Sequence, residues 1–394
     1  MFELEGSVLE RRIVHELGRL RQQSQFRFLE SVDPTARVNL CSNDYLGLSV
    51  GPRLKRELLD AVARTASVGS TGSRLLSGHS REWEDLETEF AGFAGTEAVL
   101  YFGSGYAANV GLLSSLLKPS DIVFSDALNH ASLIDGIRLS GSQKVIYPHG
   151  DLEFLERGLR DHADSSGARL IVTESVFSMD GDVAPIGALL ELARKYEAEL
   201  VIDEAHATGV CGPEGRGIAV GLGLEREMLA IVHTCGKALA SAGAFVCGSN
   251  TLKDYLINRA RTFIFSTAPP PYLAGQIHAA LALARAAEGE RSHLGRVASA
   301  LRERLTAAGL RSDRSATHIV PVILGSNDLA LYVARELQRG GFAVKAIRPP
   351  TVPPGTARLR VSLTSRITLE DIRRFVAAVE DCLEESASAS VAHV

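Results

Sequence analysis

The 394-residue chain has no unbroken apolar run of about 18 residues, which excludes a helix that spans a membrane by its length. It has no basic surplus. Lys and Arg number 42 against 47 Asp and Glu, a net charge of −5, and no Lys/Arg block marks a nucleic acid or an anionic membrane as a partner. The five cysteines, Cys41, Cys211, Cys235, Cys247 and Cys382, are odd in number and form no CxxC pair. A disulfide framework and a thiolate metal site are therefore not indicated, reduced thiols are expected, and Cys235 reads as a small filler at a strand exit. There is no GxxxxGK(S/T) and no GxGxxG after a first strand, which argues against nucleotide and nicotinamide binding. The opening Met1-Phe2-Glu3-Leu4-Glu5-Gly6 lacks a basic start followed by an apolar core, so no secretory leader is expected and a cytoplasmic setting is.

What is present is ordinary globular material, 45% hydrophobic and 23% charged, with strand-like and helix-like segments in alternation. Leu9, Ile13, Leu17 and Leu20 recur at helical spacing, which predicts a helix from about Leu4 to Gln23. From Ala98 to Cys247 short apolar runs alternate with helical patterns, the signature of a mainly parallel sheet covered by helices on both faces. The glycine-rich turn Gly103-Ser104-Gly105-Tyr106 leads from a strand into a helix and suits a phosphate through free N–H groups and the positive helix end. Val68 to Gly78, with three glycines and four hydroxyls, is either a second phosphate loop or a linker.

The centre of the pattern is Leu200 to Lys237. Leu200-Val201-Ile202 ends in Asp203-Glu204-Ala205-His206, and Leu229 to Val232 ends in His233-Thr234-Cys235-Gly236-Lys237. Two buried strands thus deliver an acid, a histidine and a lysine to the sheet edge where open α/β folds bind ligands. A lysine amine with an acid to hold a pyridine nitrogen protonated is the arrangement that pyridoxal phosphate requires. A helix-capping Asp and a solvated lysine are the plainer alternative.

After Lys237, Gly243 to Cys247 reads as a strand and Thr251 to Arg261 as a helix. Pro269-Pro270-Pro271 interrupts before an Ala-rich helix from Tyr272 to Ala287. The last part changes rhythm: helix, a strand near Ile319 to Leu324, helix, strands at Phe342 to Ala346 and Arg358 to Leu363, and a helix from Leu369 to about Cys382. The expected organisation is an N-terminal helical segment (1–40), a large α/β domain (41–285), a small α+β domain (286–384) and a frayed tail (385–394).

Several segments together resemble the α-oxoamine synthases, fold-type I pyridoxal phosphate enzymes that condense an amino acid with an acyl thioester and release carbon dioxide. They are Asn43-Asp44-Tyr45-Leu46-Gly47-Leu48, the Gly69–Gly78 loop, His130-Ala131-Ser132, Phe177-Ser178-Met179-Asp180-Gly181-Asp182, Asp203-Glu204-Ala205-His206, and Thr234 with Lys237. Ile347 to Arg360 further resembles the biotin-pathway branch, which joins L-alanine to a pimeloyl thioester carried on coenzyme A or a carrier protein. The alternative within the family is a sibling that uses glycine or serine. From other classes, a nicotinamide dehydrogenase and a catalytically silent binding protein are disfavoured by the missing GxGxxG and by the retained Lys237 and Asp203.

The resemblance implies that Lys237 is the Schiff-base lysine and general base, Asp203 the partner of the ring nitrogen, His206 the partner of the phenolic oxygen, and His130 the residue stacked on the ring. It gives Gly105, Tyr106, Ser178 and Thr234 to the cofactor. It gives Arg360 to the substrate carboxylate, Arg21 and Thr351 to the acyl substrate, and Asn43 to the active site. It implies no metal, and a homodimer with sites at the subunit interface, where the Gly69–Gly78 loop reaches the neighbour's cofactor. His233 and Cys235 beside Thr234, and Trp83, depart from the family's usual residues; Trp83 is expected to pack.

Overall fold

The computed structural model describes residues 7–29, 38–312 and 314–391. In chain order the strands are β1 (Val38–Asn39), β2 (Ala98–Phe102), β3 (Ile122–Asp126), β4 (Gln143–Tyr147), β5 (Arg169–Glu174), β6 (Glu199–Asp203), β7 (Ala230–Thr234), β8 (Ala244–Gly248), β9 (Ile319–Gly325), β10 (Phe342–Ala343), β11 (Ala346–Ile347) and β12 (Ala357–Ser362). They fall into two compact units. One collects the described parts of 1–42, 295–363 and 367–394; the other holds 43–294 with 364–366.

In the larger unit β2 to β8 form one sheet in the order β2-β8-β7-β6-β5-β3-β4. The β3–β4, β3–β5, β5–β6 and β6–β7 pairs are parallel, while β8 runs antiparallel to both β2 and β7. Parallel strands are covered on both sides, which is why they read as unbroken apolar runs; every residue of β3 and β7 is buried. Alternate strand residues share a face. Leu100, Phe102, Val172, Val232 and Val246 accordingly meet Leu112, Leu133 and Leu256 from the helices Gly105–Leu116, Ala131–Ser140 and Asn250–Arg259 in one core. The Arg81–Ala94 helix, for which the sequence pattern gave no expectation, buries Trp83, Leu86 and Phe90. Trp83 packs its ring 4.4 Å from that of Tyr101, the role expected of it.

The smaller unit has an antiparallel sheet, β11-β12-β9, and a separate parallel pair of β1 with β10. This pairing explains why the structure groups residues differently from the sequence-based boundaries. Val38 and Asn39 are in register with Phe342 and Ala343, and Ser362 N–H donates to Leu40 O at 2.9 Å. The N-terminal segment is thus laddered into the unit of the C-terminal strands. The expected Phe342–Ala346 strand is two short ones. The last helix runs from Leu369 to Val391, past the expected end near Cys382 and into the stretch expected to fray; residues 392–394 of that stretch lie outside the described residues.

The N-terminal helix spans Val8–Gln22, with Ser7 as its cap accepting Glu10 N–H at 3.2 Å. Leu4 to Gly6 of the expected range lie outside the described residues. The helix buries none of its residues, and Leu9, Ile13 and Leu17 of the apolar stripe are exposed. Among the described residues no helix is long and apolar enough to cross a membrane, and no group of His, Cys, Asp or Glu is arranged to hold a metal ion.

Candidate functional site

The parallel strands of the larger unit end in polar residues along one edge of the sheet. β3 ends at Asp126, β5 at Glu174, β6 at Asp203 and β7 at Thr234. Register sets Glu174 directly beside Asp203.

Asp203 is buried and accepts on both oxygens, from the Asn109 side-chain amide at 2.6 Å and from Ala205 N–H at 2.8 Å. This is the pattern of a carboxylate. The same Asn109 nitrogen also donates to Ser132 Oγ at 2.9 Å. Ser132 Oγ lies 2.7 Å from His130 Nδ1, and the Ser132 backbone N–H donates to that nitrogen at 3.2 Å. His130 thereby caps the Ala131–Ser140 helix with its own ring. A nitrogen that accepts an N–H carries no proton, so the neutral imidazole keeps its hydrogen on Nε2. Desolvation lowers the His130 pKa; the Asp203 charge raises it and the Lys237 charge lowers it, and the net is downward.

Lys237 stands three residues beyond β7 and is half-buried. Its charge and that of Asp203 both act on His130 and on Glu174. Amine and carboxylate therefore both lie within electrostatic reach of these two groups. Glu174 is 2% exposed, and one of its oxygens has no hydrogen-bond partner among the described residues. Burial, then the Asp203 charge, push its pKa well above the ordinary carboxyl range, against Lys237 and the backbone N–H groups of His130 and Ser178 that it accepts. Two adjacent acids do not both ionise cheaply, and it is Glu174 whose proton is held the more tightly.

Tyr45, fully buried, holds its hydroxyl 2.6 Å from His206 Nδ1 and 3.1 Å from Asn43 Oδ1, so both sequence-selected residues meet at one phenol. Thr234 Oγ1 donates to Ala205 O at 3.3 Å. A Cβ on Gly105 would come within 2.7 Å of Thr234 Cγ2, which is why the first turn of that helix starts on glycine. Ser104 Oγ accepts Ala107 N–H at 3.0 Å as the cap. The other first-turn N–H groups and the positive helix end suit an anion. Tyr106 is 47% exposed, donates its hydroxyl to Asp135, and turns its ring edge toward His130 with centroids 6.5 Å apart. Ser178 is buried in the loop after β5.

Arg21, Thr351 and Arg360 belong to the smaller unit. Arg21 lays its guanidinium over the Phe26 ring at 4.2 Å. Thr351 Oγ1 accepts from Arg27 at 3.1 Å. Arg360 is buried on β12. His233 and Cys235 are fully buried packing residues of the larger unit. His233 Nδ1 lies 2.9 Å from Thr208 Oγ1, its ring meets Phe90 edge-on, and burial pushes its pKa down to about 3.

Sequence patterns assigned no role to Asn109, Ser132, Glu174 or Glu204. A polar Asn109 among the apolar residues of its helix was the available signal. Glu204 is fully buried and accepts Ile218 N–H at 3.0 Å and Ala219 N–H at 2.8 Å, capping the helix that starts at Ile218. Gly217, at φ +104°, makes room for it, since a Cβ there would strike the Glu204 carboxylate at 1.6 Å. Burial pushes the Glu204 pKa from 4.5 up to about 8, only partly opposed by the two N–H groups. Because the folded pKa is the higher, its stabilisation is complete below pH 4.5 and is lost as pH rises through about 8. Urea denaturation across that range should show a falling stability, and Glu204→Gln should flatten the fall.

The chain matches the family model described as aminotransferase class I and II over residues 35–379. It is 45% identical over 383 residues to the 8-amino-7-oxononanoate synthase of Geobacter sulfurreducens, covering 94% of this chain and 97% of that protein. It is 47% identical over 344 residues to the enzyme of the same name from Azoarcus sp., covering 87% of each. Among solved structures it is similar to a serine palmitoyltransferase from S. paucimobilis with a bound PLP–myriocin aldimine, at TM-score 0.89 and 27% identity over 97% of this chain and 100% of that one. It is also similar to the 8-amino-7-oxononanoate synthase of Francisella tularensis, at TM-score 0.78 and 28% identity over 90% of this chain and 100% of that one.

Proposed function

This chain belongs to the class I and II aminotransferase family, in its α-oxoamine synthase branch, and we infer from its pocket and its relatives that it joins L-alanine to a pimeloyl thioester. The products are 8-amino-7-oxononanoate, carbon dioxide and the free thiol, a step of biotin biosynthesis. The observation that carries the reading is that the charges of Lys237 and Asp203 converge on the same two groups, His130 and Glu174.

The cofactor is pyridoxal phosphate, and the residues present fit it: an amine for its aldehyde, an anion for its ring nitrogen, a neutral imidazole for its face and a capped helix start for its phosphate. Bound there, it supplies the electron sink that lets alanine lose first a proton and then its carboxylate. Lys237 would hold the cofactor at rest and, once displaced by the alanine amine, take the α-proton on Nζ. Asp203 would keep the ring nitrogen protonated, and His206 with Ser178 and Thr234 would bond the cofactor's polar groups. His130 would cover the ring without adding charge. Gly105 and Tyr106 would lie at the phosphate end. Arg360 would take the substrate carboxylate with a two-pronged guanidinium, Arg21 and Thr351 would touch the acyl chain, and Asn43 would support His206 through Tyr45. A cytoplasmic homodimer is part of the same proposal, and light scattering on the purified protein checks its mass.

Thiol release measured with alanine, glycine and serine in turn tests the reading. Turnover with alanine and formation of 8-amino-7-oxononanoate support it; a clear preference for glycine or serine transfers the chain to a sibling activity. Arg360→Ala should raise the KM for alanine about 10- to 100-fold, with a smaller effect on kcat, as expected for loss of a charge-assisted pair.

A further inference from the structure

We propose that His149 is a positioning residue of this site: an imidazolium held between Asp126 and Asp182 that fixes the loop carrying Ser178. The proposal rests on the reading that Ser178 bonds the cofactor.

His149 follows β4. Its Nδ1 lies 2.9 Å from Asp126 Oδ1, at the end of β3, and its Nε2 lies 2.7 Å from Asp182 Oδ2, in the loop after β5. A neutral imidazole has one N–H, whereas both partners are acceptors, so the ring serves both only when it carries both protons. Desolvation opposes that charge, but the hydrogen bonds and charges of Asp126 and Asp182 outweigh it and raise the pKa to about 9. Tyr147 on β4 is a further titratable neighbour tied to this group through Asp126, and the Phe177 ring closes the other side, edge-on at 4.4 Å.

The two anchors are unequal. Asp126 also accepts Leu128 N–H at 2.8 Å and Gly150 N–H at 3.2 Å. The second oxygen of Asp182 is buried without a partner among the described residues. A neutral His149 has one N–H for two carboxylates; Asp126 keeps its backbone donors either way, whereas Asp182 depends on the ring itself. Movement there reaches Ser178 directly, because Phe177 N–H donates to Asp182 O at 3.0 Å and Gly181 N–H to Phe177 O at 2.9 Å. Val176 and Val183 close the base of the same loop. Three strand ends are thus joined by one ring, next to a serine assigned to the cofactor.

The test is a double-mutant cycle on the holoenzyme with His149→Gln and Ser178→Ala, reading the cofactor dissociation constant and its visible absorption band. A glutamine amide can donate to one carboxylate well but does not restore the charge. His149→Gln should weaken cofactor binding about tenfold, as expected for a lost charge-assisted bond. In the Ser178→Ala background it should add little. The wild-type affinity should also fall as pH rises through about 9, and the His149→Gln protein should lack that break. Asp182→Asn, which removes the loop-side charge alone, should reproduce the effect and serves if His149→Gln does not fold. Fully additive effects of His149→Gln and Ser178→Ala, or a cofactor affinity unchanged in His149→Gln and Asp182→Asn, overturn the proposal. A Ser178→Ala protein with wild-type affinity and spectrum removes Ser178 from the cofactor's partners, and the proposal falls with that reading; Lys237 and Asp203 are untouched by such a result.

Discussion

Replacing Lys237 with alanine should abolish borohydride fixation of the cofactor to the chain and lower kcat by about 10⁴-fold, the upper range for loss of a positioned general base. His130 is a poor substitute. The His130 nitrogen that could accept a proton is already occupied by Ser132, and its pKa lies below the ordinary imidazole value. Burial and the Asp203 charge hold the Glu174 proton well above the ordinary carboxyl range. Peptide mapping after reduction of the wild-type holoenzyme should place the label on Lys237. Partial recovery of Lys237→Ala by a small primary amine would separate lost chemistry from lost folding. Turnover within tenfold of wild type would sink the assignment.

Asp203→Asn should lower kcat by about 10²- to 10³-fold while leaving the cofactor bound, the scale expected when a preorganised charge is taken from a reacting centre. The substitution does two things. It removes the anion that would hold the ring nitrogen protonated, and it turns an amide toward two N–H donors, at 2.6 and 2.8 Å, that cannot both be satisfied. Asp203→Glu keeps the charge and disturbs mainly the geometry, so comparing the two separates the effects. If Asp203→Asn equals wild type in single-turnover measurements, the ring nitrogen has another partner.

The strand-end positions of Asp203, His206, Thr234 and Lys237 were legible because a parallel sheet puts the ends of consecutive apolar runs on one edge, and the chain writes those runs plainly. The glycine at 105 was legible as a turn; that it makes room for Thr234 was not, because the close approach joins two distant segments. Asn109 and Ser132 were assigned no role for the same reason, since each gains its meaning only where a helix crosses a strand end. Glu174 and His149 sit at strand exits like the residues that were chosen, but burial governs the charge of the first and two flanking carboxylates that of the second. The reversed β8 and the pairing of β1 with β10 were equally hidden, because strand direction and partner are set by tertiary contacts that local periodicity does not encode.

Asn109 splits its two amide hydrogens between the Asp203 carboxylate and the Ser132 hydroxyl. The nitrogen end and the stacking face of any ring seated there would consequently share a single hinge pin. Drift at position 109 cannot retune one without detuning the other, so variation in amino-acid preference has more freedom at the rim than at this junction.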